Sequence, residues 1–271
     1  AGLQPRDRIF FFFFRSTQEL SLDEAANCMR GPMGTQVILT VRRPGEAARD
    51  VALLRDIVSL NPVVAHLSPV ADNLTIGYIR LTQFNANAAS EVAASIKQFE
   101  EQGANAYVLD LRNNPGGLLS AGIEIARLWL DRGTIVYTVD RRGVLDSFEA
   151  TGSALTADPL VVLVNEGMAS ASEILAGALQ DNHRAELVGD VTFGKGLIQS
   201  LFDLSDGSGL VVTVAKYETP AHHDINRSGI RPDHAVPATV LTRNQVGTEA
   251  DGQYQAAIDL LSHSTVVASA P

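Results

Sequence analysis

From about Leu60 onward, short apolar runs bounded by turn residues alternate with amphipathic stretches of helical period, and that order predicts an α/β fold. The runs Leu74 to Leu81, Ala106 to Leu111, Thr134 to Val139, Leu160 to Val164, Glu186 to Val188, Ile198 to Leu204 and Leu210 to Tyr217 read as strands. Helices are expected over Ala89 to Gln102, Ser120 to Leu130 and Ala171 to Asp181. The first 56 residues read as a separate β-rich module: strands at Arg8 to Arg15, Gln36 to Val41 and Asp50 to Leu54, with a helix over Leu22 to Met29 capped by Ser21 and stopped by Gly31-Pro32. Pro44-Gly45 marks a hairpin turn between the last two strands. Beyond residue 240 the tail is polar, then mildly helical over Tyr254 to Leu261, and is expected to pack on the core or fray. The expected divisions are therefore 1–56, 57–240 and 241–271.

Phe10 to Phe14 break the polar-apolar alternation of a half-buried strand. The run reads as a strand buried on both faces, as an aggregation-prone edge or as an artefact of the sequence.

Composition narrows the function classes. A chain of 271 residues with 45% hydrophobic content is long enough for a large core, and its formal charge of -10 without a basic block argues against nucleic acid as a partner. One cysteine, Cys28, excludes an internal disulfide framework. No apolar run approaches the ~20 residues of a membrane-spanning helix. Any targeting peptide would lie outside this chain.

The candidate chemistry begins in Leu160 to Asp181, LVVLVNEGMASASEILAGALQD: an apolar strand, a short loop, then small residues opening a helix with Ile174, Leu175, Ala178 and Leu179 on one face. Ser170 lies at the strand-to-helix turn, where unpaired N–H groups of a helix start can stabilise an anion. Ser170 with Glu173 also fits a capping box, in which the serine is merely structural.

The chain has three lysines, Lys97, Lys195 and Lys216, against eighteen arginines. Lysine, unlike arginine, can lose its proton and act as a base when desolvated. Lys195 in TFGKGL is flanked by glycines that suggest burial, and an extended chain would place Gln199 on its face to orient the amine. A solvated loop lysine and a weak phosphate-loop match are the alternatives. In LDLRNNPGGL, Leu109 to Leu118, a buried strand ends in paired glycines. A backbone N–H of Gly116 or Gly117 could join that of Ala171 as an oxyanion hole, or the glycines could form only a tight turn.

The strings LDLRNNPGGLL, VNEGMASASEILAGALQDN, TFGKGLIQS, DGSGLVVTVAKYETP and GIRPD resemble, in order and spacing, those of the carboxyl-terminal processing peptidases, across about Leu60 to Pro237. The resemblance implies a ClpP/crotonase-like catalytic core with Ser170 as nucleophile, Lys195 as base, Gln199 orienting the lysine, Gly116 and Ala171 as oxyanion hole and Asp181 in support. It implies that residues 1–56 are the latter part of a PDZ domain whose carboxylate-binding loop lies before Ala1. IARLWLDRGTIVYTVDRRG looks most like members from cyanobacteria and chloroplasts, which mature the photosystem II reaction-centre precursor. That implies a protein substrate with a carboxyl-terminal extension, a membrane-embedded one included, and residence in the thylakoid lumen, with the bacterial periplasm as alternative. No cofactor is implied, and nothing in the sequence sets the oligomeric state. The same core resembles crotonase-type acyl-coenzyme A enzymes and retinoid-binding modules, which need no Ser-Lys pair. His222, His223, Asp224 and His234 suggest a metal only weakly, since they lack helical ligand spacing. Asp110 and Arg112 are expected to form a structural pair.

Overall fold

The computed structural model describes residues 3, 7–12, 15–18, 20–56, 61–71 and 73–268. The chain divides into two compact units, Ala1–Leu60 and Asn61–Pro271.

In the first unit, β1 (Arg8–Phe12), β2 (Arg15–Ser16), β3 (Gln36–Arg42) and β4 (Arg49–Leu54) form an antiparallel sheet ordered β2-β1-β3-β4, accompanied by α1 (Leu22–Met29). Ser21 caps α1 in ordinary extended geometry (φ -64, ψ 163), and Glu24 returns a bond to the Ser21 N–H at 2.8 Å. Pro44-Gly45 turns β3 into β4, with Gly45 at φ 84 supplying the left-handed position. The phenylalanine strand is buried on one face only. Phe12 joins Val37, Leu39 and Val41 in the core while Phe11 is 39% exposed and Arg42 stacks on Phe10. Phe13 and Phe14 lie outside the described residues.

The second unit is built on a six-stranded sheet, ordered β14-β11-β10-β7-β6-β5. Its strands are β5 (Val63–Ala71), β6 (Leu74–Leu81), β7 (Ala106–Asp110), β10 (Leu160–Val164), β11 (Glu186–Gly189) and β14 (His234–Ala235). All pairs are parallel except the edge hairpin β5-β6. Alternation along these strands feeds two cores. Ile79, Leu109, Val162 and Leu187 pack beneath α2 (Ala88–Glu101), α3 (Leu119–Trp129) and α4 (Ala171–Asp181). Tyr78, Val108, Leu163 and Val188 point the other way, onto Tyr254, Ala257 and Leu261 of α5 (Gly252–Ala268). Both faces are thus covered, which is why β7 and β10 are buried throughout and apolar at nearly every position.

A four-stranded antiparallel sheet, β12-β13-β8-β9, is formed by β8 (Thr134–Asp140), β9 (Gly143–Glu149), β12 (Leu197–Asp203) and β13 (Gly209–Glu218). Strands β5, β9 and β14 escape the sequence pattern. β5 is an edge strand that tolerates Pro69 beside a register shift, β9 is mostly exposed, and β14 spans two residues. The loops leaving the carboxyl ends of β7, β10 and β11 carry the motifs singled out above, where open parallel sheets place their sites.

Candidate active site

β10 ends at Val164, and after a loop of five residues the chain enters α4 through Ser170. Ser170 has φ 61 and ψ -120, a conformation an L side chain rarely adopts. The contrast with Ser21 is informative, because both begin an S-x-x-E pattern. Only Ser21 has the extended backbone of an ordinary cap. Holding a non-glycine residue in the Ser170 conformation costs about 1–3 kcal/mol, a strain that surrounding bonds must offset. Here the Glu173 carboxylate supplies them.

Glu173 is fully buried and accepts from four donors. Oε2 takes the Ser170 N–H at 2.9 Å and the Lys195 N–H at 2.9 Å. Oε1 takes the Gly194 N–H at 2.6 Å and the Thr192 hydroxyl at 2.5 Å. One oxygen therefore ties the backbone of the serine turn to that of the lysine loop. A second clasp comes from the Phe193 N–H on the Met168 carbonyl, 3.1 Å. The lysine loop is braced from behind: Arg227 N–H donates to the Gly194 carbonyl at 2.8 Å, and a Cβ at Gly196 would sit 2.6 Å from the Asn226 nitrogen.

Across from the serine lies the turn after β7. Gly116 adopts φ 94, and a Cβ there would come within 2.6 Å of the Ala169 carbonyl oxygen and 3.0 Å of Ser170 Cβ. Only glycine admits that approach. The Asn114 carbonyl accepts from the Ala169 N–H at 3.1 Å and from the Ser172 hydroxyl at 2.9 Å, joining the two loops. Ser172 is thereby a buried structural group, while Ser170 remains partly exposed.

The strand end beneath this turn is held by an ion cluster. Arg112, 6% exposed, pairs with Asp110 through Nε (2.9 Å) and Nη2 (2.7 Å), and with Asp251 through Nη1 (3.0 Å) and Nη2 (2.7 Å). The Tyr78 hydroxyl donates to Asp110 at 2.6 Å. Burial, reinforced by the Asp110 charge, raises the Tyr78 pKa well above the ordinary phenol range. Burial alone would raise the Asp251 pKa, but bonds from Arg112 and the Gly247 N–H outweigh it and hold that carboxyl below its usual range.

The sequence-derived residues are brought together unequally. Ser170, Ala171, Gly116 and the Lys195 backbone share one locus, and the Ala171 N–H has no partner among the described residues. Lys195 departs from expectation. Its glycine neighbours are the buried positions of the loop, and the side chain between them points outward, exposed and without a hydrogen bond or ion pair among the described residues. Gln199 lies on exposed β12, which begins only at Leu197, so it does not share a strand face with Lys195 and makes no bond to it. The Gly116 N–H donates to Asn114 Oδ1 at 2.9 Å, closing the turn on itself. Asp181 occupies the opposite end of α4, about 16 Å along the axis from Ser170. There it accepts from the Ala221 N–H at 2.8 Å. The histidines are dispersed among separate partners: His222 on Glu218 and stacked on Tyr137, His234 on Glu186, while Asp224 pairs with Lys216.

Sequence reasoning missed the hub role of Glu173, whose only signal was the capping-box spacing, and missed Asp251 and Gln253. A buried Arg112 demands counter-charges, but nothing in the sequence points to a tail 139 residues away.

Residues 75–236 match the family model described as peptidase family S41. The chain is 59% identical over 269 residues to a carboxyl-terminal-processing protease of Synechocystis sp., covering 99% of this chain and 63% of that protein. It is 51% identical over 243 residues to carboxyl-terminal-processing peptidase 2, chloroplastic, of Arabidopsis thaliana, covering 88% of this chain and 47% of that one. The chain thus spans less than two thirds of the length of these relatives. Among solved structures, the photosystem II D1 C-terminal processing protease superposes with a TM-score of 0.66 at 40% identity, covering 92% of this chain and 69% of that one. The match to the family model runs through the Ser170, Lys195 and Gly116 loops and covers more than half of the sequence: the chain belongs to peptidase family S41.

Proposed function

We propose that this chain is the peptidase portion of a serine endopeptidase that removes carboxyl-terminal extensions from precursor proteins. The observation that carries the reading is the Glu173 carboxylate, which binds the N–H of Ser170 and of Lys195 through one oxygen. The backbones of the two loops that carry a hydroxyl and an amine are thereby tied together, which supports a proton transfer between them.

In the proposed reaction the Ser170 hydroxyl oxygen attacks the scissile carbonyl carbon while its proton passes to the neutral amine of Lys195. The carbonyl oxygen becomes an oxyanion, held by the unpartnered Ala171 N–H and by a donor of the glycine turn. Gly117 suits that second role better than Gly116, whose N–H is engaged by Asn114. Collapse of the tetrahedral species breaks the C–N bond, the lysine proton leaves with the new amine, and water then hydrolyses the Ser170 ester. The exposed Lys195 side chain swings toward Ser170 for this step, and Gln199 orients it from the first residues of β12. Asp181 supports the turn at Ala221 and not the serine.

In this reading the second unit, from Asn61 on, is a ClpP/crotonase-like catalytic core reaching residue 240, followed by the tail of residues 241–271. The first unit corresponds to part of a PDZ domain that takes up the substrate's carboxyl-terminal end by strand addition. The names of the relatives support the photosystem II reaction-centre precursor as substrate and a chloroplast or cyanobacterial setting; the compartment proposed on that basis is the thylakoid lumen, with a bacterial periplasmic role as the alternative. No helix among the described residues is long and apolar enough to cross a membrane.

The test is incubation with a precursor bearing a carboxyl-terminal extension, read by mass spectrometry. The wild type releases the extension and is labelled on Ser170 by a fluorophosphonate, with no acyl-coenzyme A turnover. Ser170→Ala and Lys195→Arg release nothing. The Lys195 side chain is exposed and unpaired among the described residues, so its substitution leaves Tm unchanged. Full turnover by Lys195→Arg sinks the base assignment, because a guanidinium cannot accept the serine proton.

A further inference from the structure

We propose that Gln253, at the start of α5, is a positioning residue of the active site, holding the strand end that leads to the glycine turn and the strand end that leads to Lys195 in fixed relation. The proposal rests on the Ser170-Lys195 reading above. Gln253 is 3% exposed, and both ends of its amide are used. Oε1 accepts from Arg112 Nη1 at 2.9 Å. Nε2 donates to Asp190 Oδ2 at 3.2 Å and to the Val236 carbonyl at 2.8 Å. The amide orientation is dictated by charge: a flipped group would turn its NH₂ on a guanidinium and its oxygen on a carboxylate.

The two partners sit where the catalytic loops begin. Arg112 opens the segment that runs through Asn114 to Gly116, which abuts Ser170. Asp190 opens the segment that runs through Thr192 to Lys195, and its N–H donates to the carbonyl of Val164, the last residue of β10 before the serine loop, at 3.1 Å. One side chain thus fastens the carboxyl ends of β7 and β11 and lies beside that of β10. Gln253 also completes the Arg112 guanidinium, whose other N–H groups go to Asp110 and Asp251. A helix that served only to cover the sheet would need just Tyr254, Ala257 and Leu261, which fill the apolar face. Burying an amide there costs stability unless it is fully bonded.

Gln253→Leu keeps the volume and removes all three bonds. The kcat for precursor cleavage is expected to fall on the order of tenfold to a hundredfold, with KM within about twofold of wild type, because the loops are displaced but the substrate-binding surface is not. The rate of Ser170 labelling by the fluorophosphonate falls in parallel. Leu261→Ala serves as the comparison: it loosens α5 on its apolar face, lowers Tm and leaves kcat within about twofold. A Gln253→Leu kcat within twofold of wild type overturns the proposal, as does an equal loss from Leu261→Ala at matched Tm. If Gln253→Leu does not fold, Asp190→Ala decides, since it cuts only the lysine-loop bond at a partly exposed position. A several-fold loss of kcat at wild-type Tm and KM supports the proposal, and an unchanged kcat overturns it. A wild type that neither cleaves nor is labelled overturns the Ser-Lys reading instead, a separate outcome.

Discussion

Replacing Glu173 with glutamine changes one atom at the centre of the site, and the geometry fixes what that costs. The carboxylate accepts four bonds, two on each oxygen, from Ser170, Lys195, Gly194 and Thr192. In Glu173→Gln one oxygen becomes an NH₂ that accepts nothing, so two buried donors face another donor. The amide flips to orphan the cheaper pair, yet each buried orphan costs about 1–3 kcal/mol, and the two remaining bonds lose their charge assistance. We expect a loss of about 3–5 kcal/mol, a large part of the roughly 5–15 kcal/mol that stabilises a folded domain. At about 2–4 °C per kcal/mol for a unit of this size, Tm falls on the order of 10 °C. Activity falls further than stability, because the same carboxylate holds Ser170 in its strained conformation and registers the lysine loop against it. A misplacement near 1 Å lowers kcat about a hundredfold. Calorimetry and precursor-cleavage kinetics on the same preparation test both parts. A Glu173→Gln protein with a Tm within 2 °C of wild type, a threshold drawn from the same slope, and unimpaired turnover would refute the hub role.

Two further outcomes follow from separate features. Ser170→Gly removes the strain of φ 61 but adds backbone freedom to the unfolded chain, so it is expected to be inactive yet more stable than Ser170→Ala by about 1 kcal/mol in thermal or urea unfolding; equal or lower stability would argue against a strained Ser170 backbone. Asp251 has a folded-state pKa below its ordinary value, so its stabilisation is present above about pH 4 and is lost as pH falls through the depressed folded value. The stability difference between wild type and Asp251→Asn, about 3 kcal/mol at pH 7 by analogy with broken buried pairs, should shrink in urea titrations below pH 4, and a difference constant with pH would contradict the linkage.

Secondary structure was legible where burial imposes a period. The α1 range predicted from Ser21 and Gly31-Pro32 matches the observed helix, and the buried strands β7 and β10 were plain because packing on both faces favours apolar residues at nearly every position. β5 and β9 were not, since edge and exposed strands are free to carry proline, histidine and charge. Within the site, the serine at a strand-to-helix turn, the glycine turn and the lysine loop could be picked out individually, because each needs a particular residue type at one position. The exposure of Lys195 is not legible in its neighbours: adjacent glycines report the packing of their own backbone, and the residue between two inward positions points out.

The sequence by itself determined the α/β order of elements and the residue types that the serine turn, the glycine turn and the lysine loop present, since periodicity, turn chemistry and side-chain chemistry are local properties of the chain. Only the tertiary structure decided that a buried Glu173 joins the Ser170 and Lys195 loops, that Gly116 spends its N–H on Asn114, and that Asp251 and Gln253 lock Arg112 from the far end of the chain. The reason is physical: hydrogen-bond partners of a buried polar group are chosen by which backbones the fold brings within about 3 Å, and neither sequence distance nor local pattern carries that information.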